Sequence, residues 1–174
     1  GGGSINSSTG AYTAPGASGS ATVRVTDALG QTSDAAVTVN PALVIAPAAV
    51  NLVQGGAQTF SASGGVGAYT FSVQSGGGSV NSSSGAYTAP GAAGSATVRV
   101  SDTLGNISDA AVTILAPVSI SPAPMTLAVN NATTFSASGG LAPFVYSIQA
   151  GGGSINSSSG AYTAPGASGS ATVR

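Results

Sequence analysis

Apolar and polar positions alternate through this chain in short bursts. Ala96, Val98 and Val100 fall on one face while Thr97, Arg99 and Ser101 fall on the other. Tyr69, Phe71 and Val73 alternate with Thr70, Ser72 and Gln74, and Phe60 and Ala62 with Thr59, Ser61 and Ser63. Ala110, Val112 and Ile114 alternate in the same way with Ala111 and Thr113. A period of two, bounded by Gly, Pro and Asn, specifies half-buried strands. Leu43 with Ile45 and Val50 with Leu52 read as two short edge pieces divided by Pro47, a residue tolerated at edges and kinks. No segment shows helical period.

The pattern recurs. GGGSINSSTGAYTAPGASGSATVR begins at Gly1, and near-identical copies begin at Gly76 and Gly151, a period of 75 residues. The first and third copies differ only at Thr9 and Ser159. A fixed period beyond about 20 residues marks an array of like structural units. The expected fold is all-β: tandem immunoglobulin-like β-sandwiches, each with about seven short strands and turn signals roughly every 8 to 12 residues. Residues 40–114 read as a complete module, 1–39 as the C-terminal half of one, and 115–174 as a module lacking its last strand. Two explanations are open, a slice of a longer array or a subunit whose halves neighbours complete, and the slice is favoured. GGGS recurs at one phase inside each unit, so it connects strands. The junctions fall at Val39-Asn40-Pro41 and Ile114-Leu115-Ala116-Pro117, short and stiffened by Pro.

The last hairpin of the module permits a closer reading. With Val100 opposite Ala110, the turn is Leu104-Gly105-Asn106 and Arg99 faces Ala111, with Asp109 diagonal to it. A long side chain spans that diagonal. The expected ion pairs are therefore Arg99–Asp109 and, one repeat earlier, Arg24–Asp34. An exposed pair of this kind fixes register more than stability. Arg174 has no equivalent partner in the sequence, in keeping with a polypeptide that continues.

FSASGG at Phe60, YTFS at Tyr69, GAYTAP at Gly85 and TVRVSD at Thr97, followed by Leu104-Gly105, resemble bacterial immunoglobulin-like repeats of the BIg type. Those are tandem modules of large secreted or surface-anchored proteins, and the resemblance covers the whole chain. It implies a sandwich fold and an extracellular or cell-surface setting. It implies no catalytic residues.

Composition narrows the function further. The chain has 174 residues with three Lys plus Arg, four Asp plus Glu, no His and no Cys. At 4% charged residues, against about 25% in an ordinary domain, it cannot neutralise a row of phosphates, so nucleic acid is not an expected partner. Nor is there a basic face for a membrane surface or an unbroken apolar run for a spanning helix. Acid–base and nucleophilic chemistry lack raw material, since Asp is the one such residue and no His or Lys activates the many Ser. Asp102 and Asp109 are expected in a turn and an ion pair rather than as a catalytic dyad. Two Asp per unit make a poor calcium site, without the several carboxylates such sites use. The Gly-rich runs neither open a helix nor carry the Lys of a phosphate loop. No enzyme, cofactor or metal is expected. Asn-x-Ser/Thr triplets at Asn6, Asn81, Asn106, Asn131 and Asn156 arise by chance in so Ser-rich a chain.

Variation between copies is uneven. Residues 76–99 and 151–174 differ at 2 of 24 positions, whereas 40–75 and 115–150 agree at 14 of 36. One explanation is uneven gene conversion after duplication. The other is a repeated contact with a neighbouring copy, with Ser82, Tyr87, Ser157 and Tyr162 as candidate inter-subunit contacts. The expected function is a structural repeat of an extracellular bacterial filament or surface fibre, with copies of itself as partners. The alternative is an adhesin shaft or glycan-binding module; Tyr12, Tyr87 and Tyr162 could stack on sugars there, but the favoured reading makes each a core or rim anchor for the strand ahead of Pro15, Pro90 and Pro165.

Overall fold

A computed structural model describes residues 2–174, and these form strands and turns. The first strands are β1 (Ser4–Ile5), β2 (Tyr12–Thr13), β3 (Gly19–Thr26) and β4 (Thr32–Val39). Next come β5 (Val44–Ala46), β6 (Ala49–Val53), β7 (Ala57–Thr59), β8 (Ser61–Ser63) and β9 (Thr70–Ser75). β10 (Ser79–Val80), β11 (Ala86–Thr88), β12 (Gly94–Ser101) and β13 (Ile107–Leu115) complete that stretch. The remainder holds β14 (Ser119–Ser121), β15 (Ala132–Thr134), β16 (Ser136–Ser138), β17 (Ile148–Ala150), β18 (Ser154–Ile155), β19 (Ala161–Thr163) and β20 (Thr172–Val173). The chain groups into two compact units. One takes in the chain up to Val50 with Ala57–Thr88 and Ala96–Val112, the other Asn51–Gly56, Ala89–Ser95 and Thr113–Arg174.

Strands β5 to β13 define the architecture. One sheet runs β10-β11-β7, with β8 of the same strand pairing to β5; the other runs β6-β13-β12-β9. Taking β5/β6, β7/β8, β9, β10, β11, β12 and β13 as A to G, these orders are A-B-E-D and A-G-F-C. That is the strand order of an immunoglobulin-like sandwich. Two of the seven strands are split, each for a local reason. Strand A breaks at Pro47, and its halves pair with different sheets. Strand B breaks at Phe60, whose N–H donates to the carbonyl of Gly85 at 2.9 Å while the flanking residues pair with β11 and β5.

The alternation read from the sequence is the burial pattern. Ala96, Val98, Val100, Ala110, Val112 and Ile114 are buried, and Thr97, Arg99, Ala111 and Thr113 are not. Phe60 and Tyr87 meet edge to face, with ring centroids 6.2 Å apart. The same pairing recurs between Phe135 and Tyr162 at 6.0 Å. Around that second pair lie Tyr146 and the half-buried Ile120, Leu127, Ile148 and Val173.

Strands β3 and β4 form a ladder from Gly19↔Val39 to Thr26↔Thr32. Its register differs from the sequence reading. Arg24 stands directly opposite Asp34, not diagonal to it, and Val25 faces Ser33. The turn is one residue earlier than expected: the N–H of Gly105 donates to the carbonyl of Asp102, so Thr103-Leu104-Gly105 make the bend. The cause is the Asp102 carboxylate, which accepts the N–H groups of Leu104 and Asn106 and draws the turn around itself. Gly105, at φ 81°, supplies the left-handed residue that closes it. A turn moved by one residue shifts the pairing by two, so every side chain keeps its face.

Candidate functional site

The side chains that repeat with the 75-residue period occupy three local arrangements. The first is an ionic fork on the outer face of the hairpin. Arg99 donates from Nε and Nη2 to the two carboxylate oxygens of Asp109, each at 2.7 Å. Arg24 does the same to Asp34 at 2.7 and 2.8 Å. Parallel N–H···O bonds of this kind are the stronger form of charged hydrogen bond. They lower the carboxyl pKa of Asp34 and Asp109 and raise that of each guanidinium. All four side chains remain substantially exposed, so solvent screens the pairs.

The second arrangement centres on Asp102, the one buried charged residue among those described. Besides the N–H groups of the turn, its carboxylate accepts from the Asn106 side chain at 2.8 Å and from the Val66 N–H at 2.9 Å. These bonds, the Asn106 amide first among them, hold its pKa below the usual carboxylate value against the opposing effect of burial. Its oxygens are committed to the fold.

The third is a tyrosine latch. Tyr12, Tyr87 and Tyr162 donate their hydroxyls to the carbonyls of Gly2, Gly77 and Gly152 at 2.6, 2.9 and 2.8 Å. The GGGS motif is the other half of the latch. Gly78 has φ 89°, and a Cβ there would press on the Tyr87 hydroxyl and the Thr88 carbonyl. Tyr87 is 1% exposed and Tyr162 6%. Their rings are therefore core. Ser82 and Ser157 are exposed, and their carbonyls accept from Phe71 and Tyr146 N–H groups.

Asn81 is a structural residue that the sequence reading overlooked. Its Oδ1 accepts the N–H groups of Ser83 and Ser84, and Asn6 and Asn156 cap their turns in the same way. The signal was visible as Asn two residues before Ser and four before Gly, at one phase in every copy. No group of three His, Cys, Asp or Glu side chains comes together among the described residues. No helix among the described residues is long and apolar enough to cross a membrane. A depression of about 700 Å³ lined by Tyr12, Val39, Pro41, Leu104 and Ile107, with their neighbours, includes no charged side chain.

No family model and no curated protein matches the chain. Among solved structures, it is similar to a C-terminal 282-residue fragment of intimin in complex with the translocated intimin receptor's intimin-binding domain. The identity is 20% and the TM-score 0.47, over 60% of this chain and 43% of that one. It is also similar to protocadherin gammaB7 EC3-6, at 13% identity and TM-score 0.36 over 86% of this chain and 50% of that one. Protocadherin gamma B2 extracellular cadherin domains 3-6 follow, at 14% and 0.33 over 87% and 51%. The chain thus spans about half or less of each of these structures. Its fold class follows from its own strand order.

Proposed function

We propose that this chain is a non-catalytic structural repeat of an extracellular bacterial filament or surface fibre. Its modules, 1–39, 40–114 and 115–174, stack end to end through the short Pro-containing junctions, and its sides pack against copies of itself. The observation that carries this reading is where the few charges go. Arg24, Asp34, Arg99 and Asp109 neutralise one another in forks, and Asp102 is turned inward. Apart from Asp27 and Arg174, what remains outside is uncharged, chiefly Ser, Thr, Gly and Ala with isolated Val and Leu such as Leu29 and Leu104, a surface with little charge to hold copies apart.

Ser82 and Ser157 provide the test. A glutamate at both positions places negative charge at the same point of two repeats. Electron microscopy and sedimentation of concentrated wild-type protein should show lateral association that Ser82→Glu/Ser157→Glu abolishes. Intact lateral assemblies from the double variant would reject these contacts. Binding of an isolated unit on a glycan array, with no self-association, would replace the reading with that of an adhesin module.

A further inference from the structure

Asn-x-Ser/Thr triplets are expected by chance in so Ser-rich a chain, and the fold divides them into two kinds. In Asn106-Ile107-Ser108 both polar groups are already used. The Asn106 Nδ2 donates to the Asp102 carboxylate at 2.8 Å, and the Ser108 hydroxyl accepts the Ile45 N–H at 3.1 Å. In Asn131-Ala132-Thr133 the third residue is half-buried within β15, opposite Tyr162.

Asn6, Asn81 and Asn156 are different. Each opens a tight turn at one phase of the repeat. The Asn81 N–H donates to the Ala86 carbonyl at 2.8 Å, and the Asn81 carbonyl accepts the Gly85 N–H at 3.0 Å. Inside that turn the Asn81 Oδ1 accepts the N–H groups of Ser83 and Ser84 at 3.0 and 2.9 Å. The Asn156 Oδ1 accepts those of Ser158 and Ser159, both at 3.0 Å. Residues 81–84 and 156–159 are exposed throughout. Among the described residues, the Nδ2 groups of these asparagines donate to nothing, and the hydroxyls of Ser8, Ser83 and Ser158 bond to nothing. The turn uses the N–H of each serine and has no use for its hydroxyl, yet the residue is Ser in every copy.

We propose that Asn81, with Asn6 and Asn156, is a glycosylation site that recurs with the repeat and takes an N-linked saccharide from an activated sugar phosphate through a transferase. The triplet offers the carboxamide and the hydroxyl two residues on that such a modification reads. Nδ2 attacks the anomeric carbon of the donor and a C–N bond forms. The bond from that carbon to the donor's phosphate oxygen breaks, the phosphate leaves with the electron pair, and one Nδ2 proton passes to a base of the transferase. A carboxamide nitrogen shares its lone pair with the carbonyl, so it needs activation. Two N–H groups on Oδ1 stabilise negative charge there and ease the loss of that proton. The product keeps the turn, because the modified amide retains Oδ1 and Nδ2 gives up no bond within the chain. A hydrated saccharide also supplies the polarity that 4% charged residues do not. Ser82 lies in the same turn, so a glycosylated copy cannot bring Ser82 against a neighbour. The site does not rest on lateral packing and competes with it at this one point.

Mass spectrometry of the protein as its own cells make it tests the assignment. Fragmentation should place a saccharide on Asn81 and Asn156 and none on Asn106 or Asn131. Two variants separate the sugar from the turn. Ser83→Ala removes the hydroxyl and keeps the N–H, while Asn81→Asp keeps Oδ1 and loses the carboxamide nitrogen. Each should abolish modification at position 81, leave that at Asn156, and leave the unfolding midpoint unchanged; Ser83→Thr should remain modified. Native protein bare at both Asn81 and Asn156 overturns the proposal. So does a sugar that persists in Ser83→Ala, or one released by mild alkali, which marks attachment to a Ser or Thr hydroxyl. These readouts are the same whether or not copies associate laterally.

Discussion

The hairpins β3–β4 and β12–β13 are two readings of almost one sequence. GSATVRV stands at Gly19 and at Gly94, and TVRVTDALG differs from TVRVSDTLG only at Thr26 and Ala28. Both make the same turn around an aspartate, with the Asp27 or Asp102 N–H donating to the carbonyl four residues on. Both lock Arg to Asp across the strands. Yet Val25 is 67% exposed and its counterpart Val100 is fully buried. Strand, turn, register and ion pair are thus properties of a stretch of about 20 residues, and burial is not. The hairpin is a part that forms whether or not it is covered.

Substitutions at matched positions should separate the two kinds of property. The largest difference is expected for Val100→Asp against Val25→Asp, at a buried and an exposed position of the two hairpins. The first puts an unpaired charge in the sandwich core and should cost on the order of several kcal/mol, enough to unfold it. The second should leave unfolding in denaturant unchanged for dilute protein. Equal effects would mean that the first hairpin is covered after all.

Glycine comes next. Gly10 and Gly85 share the left-handed conformation, at φ 72° and 69°. A Cβ at Gly10 meets nothing within 4 Å, whereas at Gly85 it collides with the Phe60 carbonyl. Gly85→Ala should therefore destabilise by about 3 kcal/mol and Gly10→Ala by about 1 kcal/mol, the strain of the conformation alone. Comparable values in equilibrium unfolding would show that the close approach to Phe60 is not needed.

Removing one hydroxyl probes the latch. Tyr87→Phe loses the bond to Gly77 from a buried ring and should cost about 1 kcal/mol. Tyr12→Phe, with its ring half exposed, should cost less than half as much.

The smallest effects concern charge. Asp102 has a lowered folded pKa, so the unfolded chain binds its proton first as pH falls. Its contribution is complete above the ordinary value of 3.8 and is lost as pH drops through that value toward the folded one. Asp109 and Asp34 act in the same direction. Stability against thermal unfolding should thus fall below about pH 4, and Asp102→Ala should flatten that slope more than Asp34→Ala. A slope unchanged in Asp102→Ala would mean that its carboxylate is not the acceptor for Val66 and Asn106.

Much of this was legible in the sequence because alternating runs encode strands directly, and seven strands with turns between them leave few architectures. Pro47 showed where strand A breaks. Other features were hidden. The break in strand B at Phe60 looks like continuous alternation, because Phe60 keeps its face while its N–H changes partner to Gly85. Asn130 illustrates a substitution that only the backbone explains. It replaces Gly55 and adopts φ 61°, since Asn tolerates the left-handed region better than most residues. The near-identity of 76–99 and 151–174 also has a partial local cause. Gly78, Asn81, Gly85 and Tyr87 are each fixed by turn geometry or latch bonding, and the exposed Ser82 is not.

By itself, then, the sequence determined periodicity, strand positions, the faces of those strands and the scarcity of chemistry. These depend on neighbours two to ten residues apart, which any copy of the repeat contains. The tertiary structure decided what particular side chains meet. It put Tyr87 and Tyr162 in cores and turned Asp102 inward to accept the Val66 N–H. Each of those outcomes depends on where a backbone N–H or a ring from a distant part of the chain lies in space.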